Sequence, residues 1–476
     1  MNTNRIVHPG FWFGKTERAD ALKLAASGVG GFCIYGGALE EVKDLTAALR
    51  AAAPHQLIIS ADYEDGLGRW VQGTPLLPSN ISIGAGDNAD LAYKKGFITA
   101  CQAKALGVDW VLAPVVDLAD TPQNPIVNTR AFGGGAAEVT SMAEHYMRGL
   151  QDGGCLNSLK HFPGHGATVI DSHLSLPVIE RSFKQMEEAE LLPYKKLFVK
   201  ADSIMVSHLL VRDWDADNPA SFSHKIMGDY MRGVLRYKGA VVTDALMMGA
   251  MKHLSPVDCF KAGADILLSP GDPWQLMKDL KELIAAQPAL AKRAVDALSK
   301  HEKMLLKLNA LIPRCPKEPF AAETLSQETA QACIAALGNE IFLRKNKIIH
   351  YLEPEIYPAQ DFKAKEFLAE LEESKVKIEP YTEGDRPDIL IAAGMQSCGA
   401  FRGYVNFNEE QKALLNKAIA ASKKSVLIAF GSPFINLGLD KSPDFFLMAG
   451  TKTQPFQQTA AQILLGKAKA NGKMPV

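Results

Sequence analysis

The densest group of reactive side chains in the sequence lies between Lys160 and His173, in the stretch Lys-His-Phe-Pro-Gly-His-Gly-Ala-Thr-Val-Ile-Asp-Ser-His. Pro163 and the two glycines disfavour a regular helix, so this stretch is predicted to form a loop. Its histidines, lysine and aspartate are residue types that transfer protons or bind metal ions. The loop is therefore the first candidate for an active or binding site.

Three interpretations of this loop stay open on residue types alone. A metal site has four suitable ligands, namely His161, His165, Asp171 and His173. However, histidines four residues apart share one face only in a regular helix, which the proline and glycines exclude. An acid–base site is favoured, because a tight turn would let Asp171 orient the imidazole of His173 and raise its basicity. The third interpretation is a solvated loop whose histidines cap backbone groups.

Polar residues also end several apolar runs elsewhere in the first part of the chain. They are Asp62, Lys160, His161, His208 and Asp244, while Arg130 lies in the loop after the run at 109–117. A buried charge costs on the order of several kcal/mol unless it is paired or functional. Each residue alone is compatible with a structural ion pair, but together they indicate a site. Asp244 suits three roles: nucleophile at an anomeric carbon, metal ligand or structural acceptor.

The elements that must position these residues alternate along the chain, with each short apolar run followed by a helix-like stretch. Strands are predicted at 31–36, 56–62, 109–117, 156–161, 204–208, 240–244 and 266–269, with an eighth candidate at 5–13. Helices are predicted at 91–106, 137–151, 183–199 and 225–235. Strands that alternate with helices imply a parallel sheet. This pattern predicts an N-terminal (β/α)8-type barrel, whose functional residues gather at the carboxyl ends of its strands.

The rest of the chain predicts a second, smaller domain. A long helix at 287–311 is followed by Ile-Pro-Arg-Cys-Pro-Lys-Glu-Pro, whose prolines indicate a linker. Strands predicted at 347–352, 388–393, 425–430 and 445–449 then alternate with helices at 360–373 and 409–422. The predicted fold class is α/β, with a barrel domain at 1–311, a linker at 312–320 and a doubly wound α/β sandwich domain at 321–476.

Composition and charge exclude several function classes. The 52 basic and 53 acidic residues give a net charge of −1, and neither the basic stripe of a nucleic-acid-binding protein nor the basic amphipathic helix of a membrane-surface protein is found. No run of about 20 apolar residues could span a bilayer. The seven cysteines are scattered without a C-x-x-C pair, and the N-terminus lacks the apolar stretch of a signal peptide. A cytoplasmic protein with reduced cysteines and a small, weakly charged substrate is expected.

The reactive loop, with K-H-F-P-G-H-G followed by D-S-H, resembles glycoside hydrolase family 3 in its β-N-acetylglucosaminidase branch. The segment T-D-A-L-M-M-G, which contains Asp244, is similar to a second motif of that family. Weaker similarities lie at 60–64, 128–133, 219–223 and 472–476, so the resemblance covers nearly the whole chain. It implies a two-domain retaining β-glycosidase that needs no metal or organic cofactor. One departure is Arg69, which is shifted from the position of the family's E-G-G-R arginine.

The resemblance also implies a role for each matching residue. Asp244 would be the nucleophile, and His173 the acid/base held by Asp171. Four residues would bind the sugar hydroxyls at the non-reducing end: Asp62, Arg130, Lys160 and His161. The second domain is expected to be dispensable for bond cleavage, since the acid/base lies in the first domain.

The expected activity is exo-hydrolysis of terminal N-acetyl-β-glucosaminides, with cell-wall muropeptides as a candidate natural substrate in peptidoglycan recycling. One alternative is a phosphorolytic N-acetylglucosaminyl transferase, because a neutral histidine base does not repel an anionic acceptor as a carboxylate would. A β-glucosidase of the same family and a non-catalytic sugar-binding protein are further alternatives. The expected partner is a small carbohydrate, with no nucleic acid and no membrane. The sequence does not indicate the oligomeric state.

Overall fold

The computed structural model describes residues 2–251, 254–316, 322–358 and 361–476. We call its part up to residue 316 the first region and its part from residue 322 the second region. Both regions consist of helices and mostly parallel strands, so the predicted α/β class is confirmed. Part of the predicted linker, at 317–320, and the first residue of the helix predicted at 360–373 lie outside the described residues.

The first region alternates short strands with helices. Its strands are β1 (Val7–His8), β2 (Gly10–Trp12), β3 (Gly31–Tyr35), β4 (Ile58–Ala61), β5 (Trp110–Val111), β6 (Ser158–Phe162), β7 (Val178–Ile179), β8 (Ser203–Val206), β9 (Leu210–Val211), β10 (Ala240–Thr243) and β11 (Leu267–Leu268). Its α-helices are α1 (Arg18–Ala26), α2 (Leu39–Ala52), α3 (Asn80–Ala85), α4 (Ala89–Ala105), α5 (Ala136–Asp152), α6 (Phe183–Glu188), α7 (Leu191–Leu197), α8 (Pro256–Ala262), α9 (Pro273–Ala286) and α10 (Pro288–Ala310). The segment Lys225–Val234 is π-helical.

The strands of the first region follow one another in a circular order, except β7 and β9, which pair with each other. β2, β3, β4 and β5 form one sheet, and β6, β8 and β10 form another. A bridge between Trp110 and Leu156 connects the first sheet towards β6, and a bridge between Val242 and Ile266 leads on to β11. β11 then pairs with β1, which directly precedes β2. Because these pairs are parallel, the carboxyl ends of the strands lie at one end of the region.

Apart from β2, the strands of this circular arrangement are buried on both faces. This explains why they read as continuous apolar runs rather than alternating patterns. In β3, Phe32 and Ile34 belong to a large core shared with the surrounding helices. Cys33 and Tyr35 face the opposite side and belong to a separate cluster with residues of neighbouring strands and of α10. Charged residues at the strand ends therefore stand out from an apolar interior.

Two predicted elements of the first region are shorter or divided in the structure. The strand predicted at 109–117 is limited to β5, and Pro114 within it has no backbone N–H to donate to a neighbouring strand. The helix predicted at 183–199 is divided into α6 and α7. Pro193 lies in the first turn of α7, where the backbone N–H groups have no partner inside the helix.

The second region contains a six-stranded mixed sheet with the order β12-β17-β16-β15-β13-β14. These strands are β12 (Ala335–Gly338), β13 (Ile348–Leu352), β14 (Lys377–Pro380), β15 (Ile389–Gly394), β16 (Lys424–Ala429) and β17 (Phe445–Met448). The helices are α11 (Ala322–Cys333), α12 (Lys365–Glu373), α13 (Glu409–Ala421) and α14 (Gln454–Leu464). Only the β12–β17 pair of this sheet is antiparallel in the described ranges. One face packs against α12 and α14, and the other packs against α13.

The second region lies against loops that follow strands of the first. The hydroxyl groups of Ser79 and Ser82, after β4, donate hydrogen bonds of 2.8 and 2.7 Å to the carbonyls of Gly450 and Ala449. These carbonyls follow β17, so the start of α3 in the first region meets the loop after β17 in the second. Throughout the described part of the chain, no helix has the length and apolar character needed to cross a membrane.

The expectation that all cysteines are reduced is wrong for one pair. Cys101 on α4 and Cys315 after α10 form a disulfide, with their Cα atoms 5.5 Å apart. The two residues are 214 positions apart in the sequence, and the packing of α4 beside the chain that follows α10 brings them together. Sequence spacing could not reveal this contact. The predicted cytoplasmic location is a separate matter and stays a prediction.

Candidate active site

A cavity of about 380 Å³ opens at the carboxyl ends of the first region's strands and is bordered by the second region. Five of the seven predicted site residues line it, namely Asp62, Arg130, His161, His173 and Asp244. The other two, Lys160 and Asp171, lie behind this lining and bind Asp62 and His173, respectively. The structure therefore brings the seven predicted residues to one place.

Asp244 directly follows β10 and faces the cavity. Its backbone N–H donates a 2.9 Å hydrogen bond to the carbonyl of Val206, and its Oδ1 accepts one of 2.8 Å from the N–H of Ala245. Burial raises the pKa of the Asp244 carboxyl, but three neighbouring histidines together lower it below its ordinary value. The group is therefore an ionised carboxylate at neutral pH, as a nucleophile must be.

His173 and Asp171 form a hydrogen-bonded pair. The backbone N–H and Nδ1 of His173 both donate to Oδ1 of Asp171, at 2.8 and 2.9 Å. The Asp171 side chain is fully buried, whereas the imidazole is partly exposed and lines the cavity. Because Nδ1–H is donated to the carboxylate, Nε2 is the nitrogen available to exchange a proton with a bound molecule. This geometry fits the acid–base interpretation of the loop.

The loop that carries His173 and the loop that carries Asp244 touch through their backbones. The N–H of Ala250 donates a 3.1 Å hydrogen bond to the carbonyl of Ser172. A Cβ atom at Gly249 would lie 2.4 Å from the carbonyl oxygen of His173, so only glycine permits this approach. The last residue of T-D-A-L-M-M-G thus has a physical purpose, which is to bring the two loops together.

A network of charged side chains lies beside the cavity and is centred on the buried Glu64. Lys160 Nζ binds Asp62 Oδ1 at 2.7 Å and Glu64 Oε2 at 3.3 Å. Arg130 Nε binds Glu64 Oε1 at 2.8 Å, and Arg69 approaches the same oxygen at 3.5 Å. Burial raises the pKa of Glu64, but Lys160, Arg130 and Arg69 together lower it well below its ordinary value. Burial likewise opposes the charge of Lys160, but Asp62 and Glu64 raise its pKa.

This network fixes hydrogen-bonding groups at the edge of the cavity. The side chain of Asp62 is 24% exposed, whereas those of Lys160 and Glu64 are almost completely buried. Arg130 and His161 add donor groups nearby, with Arg130 Nη2 3.4 Å from His161 Nε2. Paired charges held in this way suit recognition of neutral hydroxyl groups, because each already has its counter-charge and retains capacity for further hydrogen bonds.

The histidines of the reactive loop bind separate partners. His161 Nδ1 lies 2.7 Å from Oδ2 of the buried Asp117, and His165 Nε2 lies 2.9 Å from the hydroxyl of Ser172. Burial and the neighbouring His161 lower the pKa of His165 to about 4, so this imidazole is neutral at pH 7. In the described ranges, no group of three or more His, Cys, Asp or Glu side chains is arranged to hold a metal ion. The metal interpretation therefore gains no support from this geometry.

Three aromatic residues that the sequence analysis did not select, Trp12, Tyr35 and Trp70, line another side of the cavity. Trp12 stacks on Tyr35 with ring centroids 3.9 Å apart and planes 10° apart. Trp70 packs edge-on against both, at 5.9 and 5.4 Å. Such a wall offers apolar area to the C–H face of a sugar ring. Trp12 and Tyr35 are the last residues of β2 and β3, so a search of strand ends that included aromatic residues would have found them.

The second region also contributes to the cavity. Gly399, Ala400 and Phe401 line it, and the Phe401 ring packs edge-on against His173 with centroids 4.9 Å apart. No spacing or motif in the sequence connects these residues to the reactive loop. Their role depends on how the two regions dock.

Residues 5–301 match the family described as glycosyl hydrolase family 3 N terminal domain, which spans more than half of the chain. The chain belongs to glycosyl hydrolase family 3. The β-hexosaminidase of Idiomarina loihiensis is 31% identical over 307 residues, covering 61% of this chain and 90% of that protein. This relative and the family match confirm the resemblance drawn from the motifs.

Solved structures with the same fold cover both regions of the family 3 chain. A family 3 β-N-acetylglucosaminidase from Paenibacillus sp. str. FPU-7 is 23% identical with a TM-score of 0.84, covering 100% of this chain and 98% of that one. A β-glucoside phosphorylase is 20% identical with a TM-score of 0.86, covering 100% and 92%. The fold alone therefore does not choose between these two reactions.

Family 3 membership makes the protein a glycoside hydrolase, and its substrates are therefore carbohydrates.

Within this site, Arg69 lines the cavity and contacts Glu64, although it is shifted from the family's usual position. Glu64 and Asp117 were not selected from the sequence. Glu64 lies two residues after Asp62, and Asp117 ends the apolar run at 109–117, so both carried the strand-end signal.

Proposed function

We propose that this family 3 enzyme is a retaining exo-β-N-acetylglucosaminidase that hydrolyses terminal N-acetyl-β-glucosaminides. The observation that carries the proposal is that Asp244 and His173 line one cavity, with His173 held from behind by Asp171. The proposal is further supported by the similarity to a protein named β-hexosaminidase at 31% identity. The first region is proposed to be a (β/α)8-type barrel and the second a doubly wound domain, based on the circular parallel pairings and on the helices that cover both faces of the sheet.

In the first step, Asp244 attacks the substrate. An oxygen of its carboxylate forms a bond to the anomeric carbon as the glycosidic C–O bond breaks. The electron pair of that bond stays on the leaving oxygen, which takes a proton from Nε2 of the protonated His173. Asp171 accepts the Nδ1–H throughout and stabilises the imidazolium. The products of this step are the free aglycone and a glycosyl ester on Asp244.

In the second step, water replaces the enzyme. The neutral His173 takes a proton at Nε2 from a water molecule, and the water oxygen bonds to the anomeric carbon. The C–O bond of the ester breaks, and its electron pair returns to Asp244 as a carboxylate. Two inversions at one carbon give net retention of the β configuration. His173 ends protonated, ready for the next turnover.

The binding residues determine which end of the glycan is held. Asp62, Arg130 and His161 are proposed to bind the hydroxyl groups of the terminal sugar, with Lys160 holding Asp62 from behind. The aromatic wall of Trp12, Tyr35 and Trp70 is proposed to lie against the C–H face of the sugar. Muropeptides as natural substrates, a role in peptidoglycan recycling and a cytoplasmic location stay predictions.

The deciding experiment is a product assay on 4-nitrophenyl N-acetyl-β-glucosaminide with and without inorganic phosphate. We expect N-acetylglucosamine to be released first as the β-anomer, as read by proton NMR, at a rate independent of phosphate. A sugar 1-phosphate product whose formation requires phosphate would instead establish the phosphorolytic transferase. First release of the α-anomer would overturn the retaining mechanism, and lack of turnover would overturn the activity.

A further inference from the structure

The loop between β15 and α13 reaches from the second region to the acid/base. It is attached to the first region at several points: the N–H of Gly399 donates to the carbonyl of Pro125 at 3.3 Å, and Asn406 Nδ2 donates to the carbonyl of Pro122 at 2.8 Å. We call residues 399–403 the docking loop. It follows the carboxyl end of a strand, which is where open α/β sheets place functional loops.

The docking loop completes the hydrogen bonding of Asp171. Oδ1 of this carboxylate accepts both hydrogen bonds from His173, and Oδ2 faces the other way. The backbone N–H of Gly403 donates a long hydrogen bond of 3.4 Å to that Oδ2. The two oxygens are therefore held from opposite sides, one by the acid/base and one by the second region. Hydrogen bonds at both oxygens restrict rotation of the Asp171 carboxylate. A carboxylate fixed in this way in turn orients the imidazole of His173.

Phe401 contacts the imidazole itself. Its ring lies edge-on to His173, with centroids 4.9 Å apart and an angle of 61° between the planes. Phe401 is 63% exposed and has a φ of +64°, a left-handed conformation that costs about 1–2 kcal/mol for a residue other than glycine. An exposed aromatic ring on strained backbone gains little from burial. A strained residue of this kind at the edge of a cavity indicates a functional constraint.

Tyr404 shows that exposure alone does not explain Phe401. It directly follows the docking loop and is 64% exposed. Among the described residues, Phe401 lines the cavity and Tyr404 does not. The two aromatic residues therefore form a matched pair, since one contacts the acid/base and the other does not line its cavity.

We propose that the docking loop is a positioning element for the acid/base, with Phe401 holding the His173 imidazole and Gly403 holding Asp171 in the orientation that protonates the leaving group. This inference rests on the proposed role of His173. It predicts the opposite of the expectation that the second domain is dispensable for cleavage, because His173 needs the second region to be positioned.

Two aryl N-acetyl-β-glucosaminides of similar size test the proposal, one with the good leaving group 2,4-dinitrophenol and one with the poor leaving group 4-methoxyphenol. Phe401→Ala should lower kcat/KM on the 4-methoxyphenyl substrate at least about tenfold, but on the dinitrophenyl substrate less than about twofold, because a good leaving group needs little protonation. Phe401→Tyr should restore most of the activity. The matched control Tyr404→Ala should leave both substrates unchanged.

The leaving-group split distinguishes positioning from other roles. Equal losses on both substrates, or no loss on either, would overturn the positioning role of Phe401. Since the ring is exposed, the variant is expected to fold, and an unchanged thermal unfolding midpoint verifies this. If the unaltered enzyme cleaves neither substrate, the proposed function fails and this inference fails with it, an outcome distinct from an active enzyme without the split.

Discussion

The two regions share parallel strands followed by helices, but the chemistry at their strand ends differs. In the first region, Asp62 and Asp244 directly follow the ends of strands and line the cavity. In the second region, two of the strand ends instead carry glycine, since Gly394 ends β15 and Gly450 lies two residues after β17. The same position in the same kind of architecture thus serves chemistry in one region and contact in the other.

Glycine is used in the second region because other atoms lie very close to its backbone. A Cβ atom at Gly431 would lie 1.7 Å from the carbonyl oxygen of Gln396, and one at Gly450 would lie 2.7 Å from the hydroxyl oxygen of Ser82 in the first region. Gly450 also has a φ of +68°, which favours glycine. The comparison shows that the fold places strand ends together, and that the residues at those ends determine whether they serve catalysis or contact.

The largest effect is expected at Asp244, which tests whether the strand ends of the first region are catalytic. If the strand ends of the first region do the chemistry, Asp244→Ala should lower kcat by on the order of 10⁴-fold or more, since no other group can form the glycosyl ester. A slow 5-fluoro glycosyl substrate should label a peptide that contains residue 244, as read by mass spectrometry. Asp258→Asn, at an exposed ion pair on α8, serves as the control and should retain full activity. Labelling of another residue would remove Asp244 from the mechanism.

His173 should give the next largest effect. His173→Ala should cost about 10²–10⁴-fold on natural glycosides, the usual contribution of a general acid, and much less on activated aryl glycosides in the glycosylation step. The measurement is kcat/KM on both substrate classes. The half-buried His145 on α5, which does not line the cavity, controls for the loss of a histidine when it is replaced by alanine. A metal-dependent recovery of the variant's activity would revive the metal interpretation.

Glu64 tests whether the charged network stabilises the first region. Removing one member of a buried ion pair costs about 3–5 kcal/mol, so Glu64→Gln should lower the free energy of unfolding at pH 7 by roughly that amount. The folded pKa of Glu64 is lowered, so its stabilisation is fully present above the unfolded pKa of about 4.3 and is lost as the pH falls through the folded value. The variant should therefore lose less stability than the unaltered enzyme on acidification.

Urea unfolding at pH 7 and at about pH 3, which lies below the unfolded pKa of glutamate, measures both Glu64 effects. Glu328→Gln is the control, because its ion pair with Lys94 is exposed and such pairs contribute at most about 1 kcal/mol. If the two variants lose the same stability, the network around Glu64 is not stabilising.

Gly450 tests whether the strand ends of the second region serve contact with the first region. In Gly450→Ala the left-handed backbone costs about 1–2 kcal/mol, and the added methyl group must also displace Ser82. Gly73→Ala is the matched control, since Gly73 has a φ of +78° but nothing within 4 Å of an added Cβ. Thermal unfolding should show a larger loss for Gly450→Ala than for Gly73→Ala. Equal losses would mean that backbone strain, and not the contact between the regions, explains this glycine.

The sequence predicted those strands that are buried on both faces, because a continuous apolar run leaves a clear signal. The runs at 31–36 and 240–244 correspond to β3 and β10. β14 was not predicted, since it is mostly exposed, contains charged residues and ends in Pro380, as sheet edges often do. β12 was missed as well, because its four residues Ala-Ala-Leu-Gly show no alternation.

The residues of the candidate site also divide into those that the sequence predicted and those that it missed. Residues such as Asp171 and His173 are close in the chain, so local spacing was enough to pair them. Strand-end residues such as Asp62 and Asp244 could be grouped because parallel strands end on one side. Phe401 could not be found, since its contact with His173 depends on the docking of the second region. Cys101 and Cys315 were missed because their contact depends on the packing of α4 beside the chain that follows α10.

The smallest expected effect concerns the sugar. Family 3 membership and an aspartate nucleophile do not by themselves choose an acetamido sugar over glucose, and that choice rests on the Asp171–His173 loop and on the relative named β-hexosaminidase. A site shaped for the N-acetyl group fills a small pocket with its methyl and hydrogen-bonds its amide. A glucoside leaves that pocket empty and its polar groups unpaired, which costs about 1–3 kcal/mol. We therefore expect kcat/KM for an aryl N-acetyl-β-glucosaminide to exceed that for the matching β-glucoside at least about tenfold, since tenfold requires only about 1.4 kcal/mol. Both rates should be measured on one preparation with the same aryl group, so that leaving-group chemistry cancels. Equal rates would mean that the site cleaves β-glycosides without a preference for the acetamido sugar. Faster cleavage of the glucoside would identify the chain as a β-glucosidase.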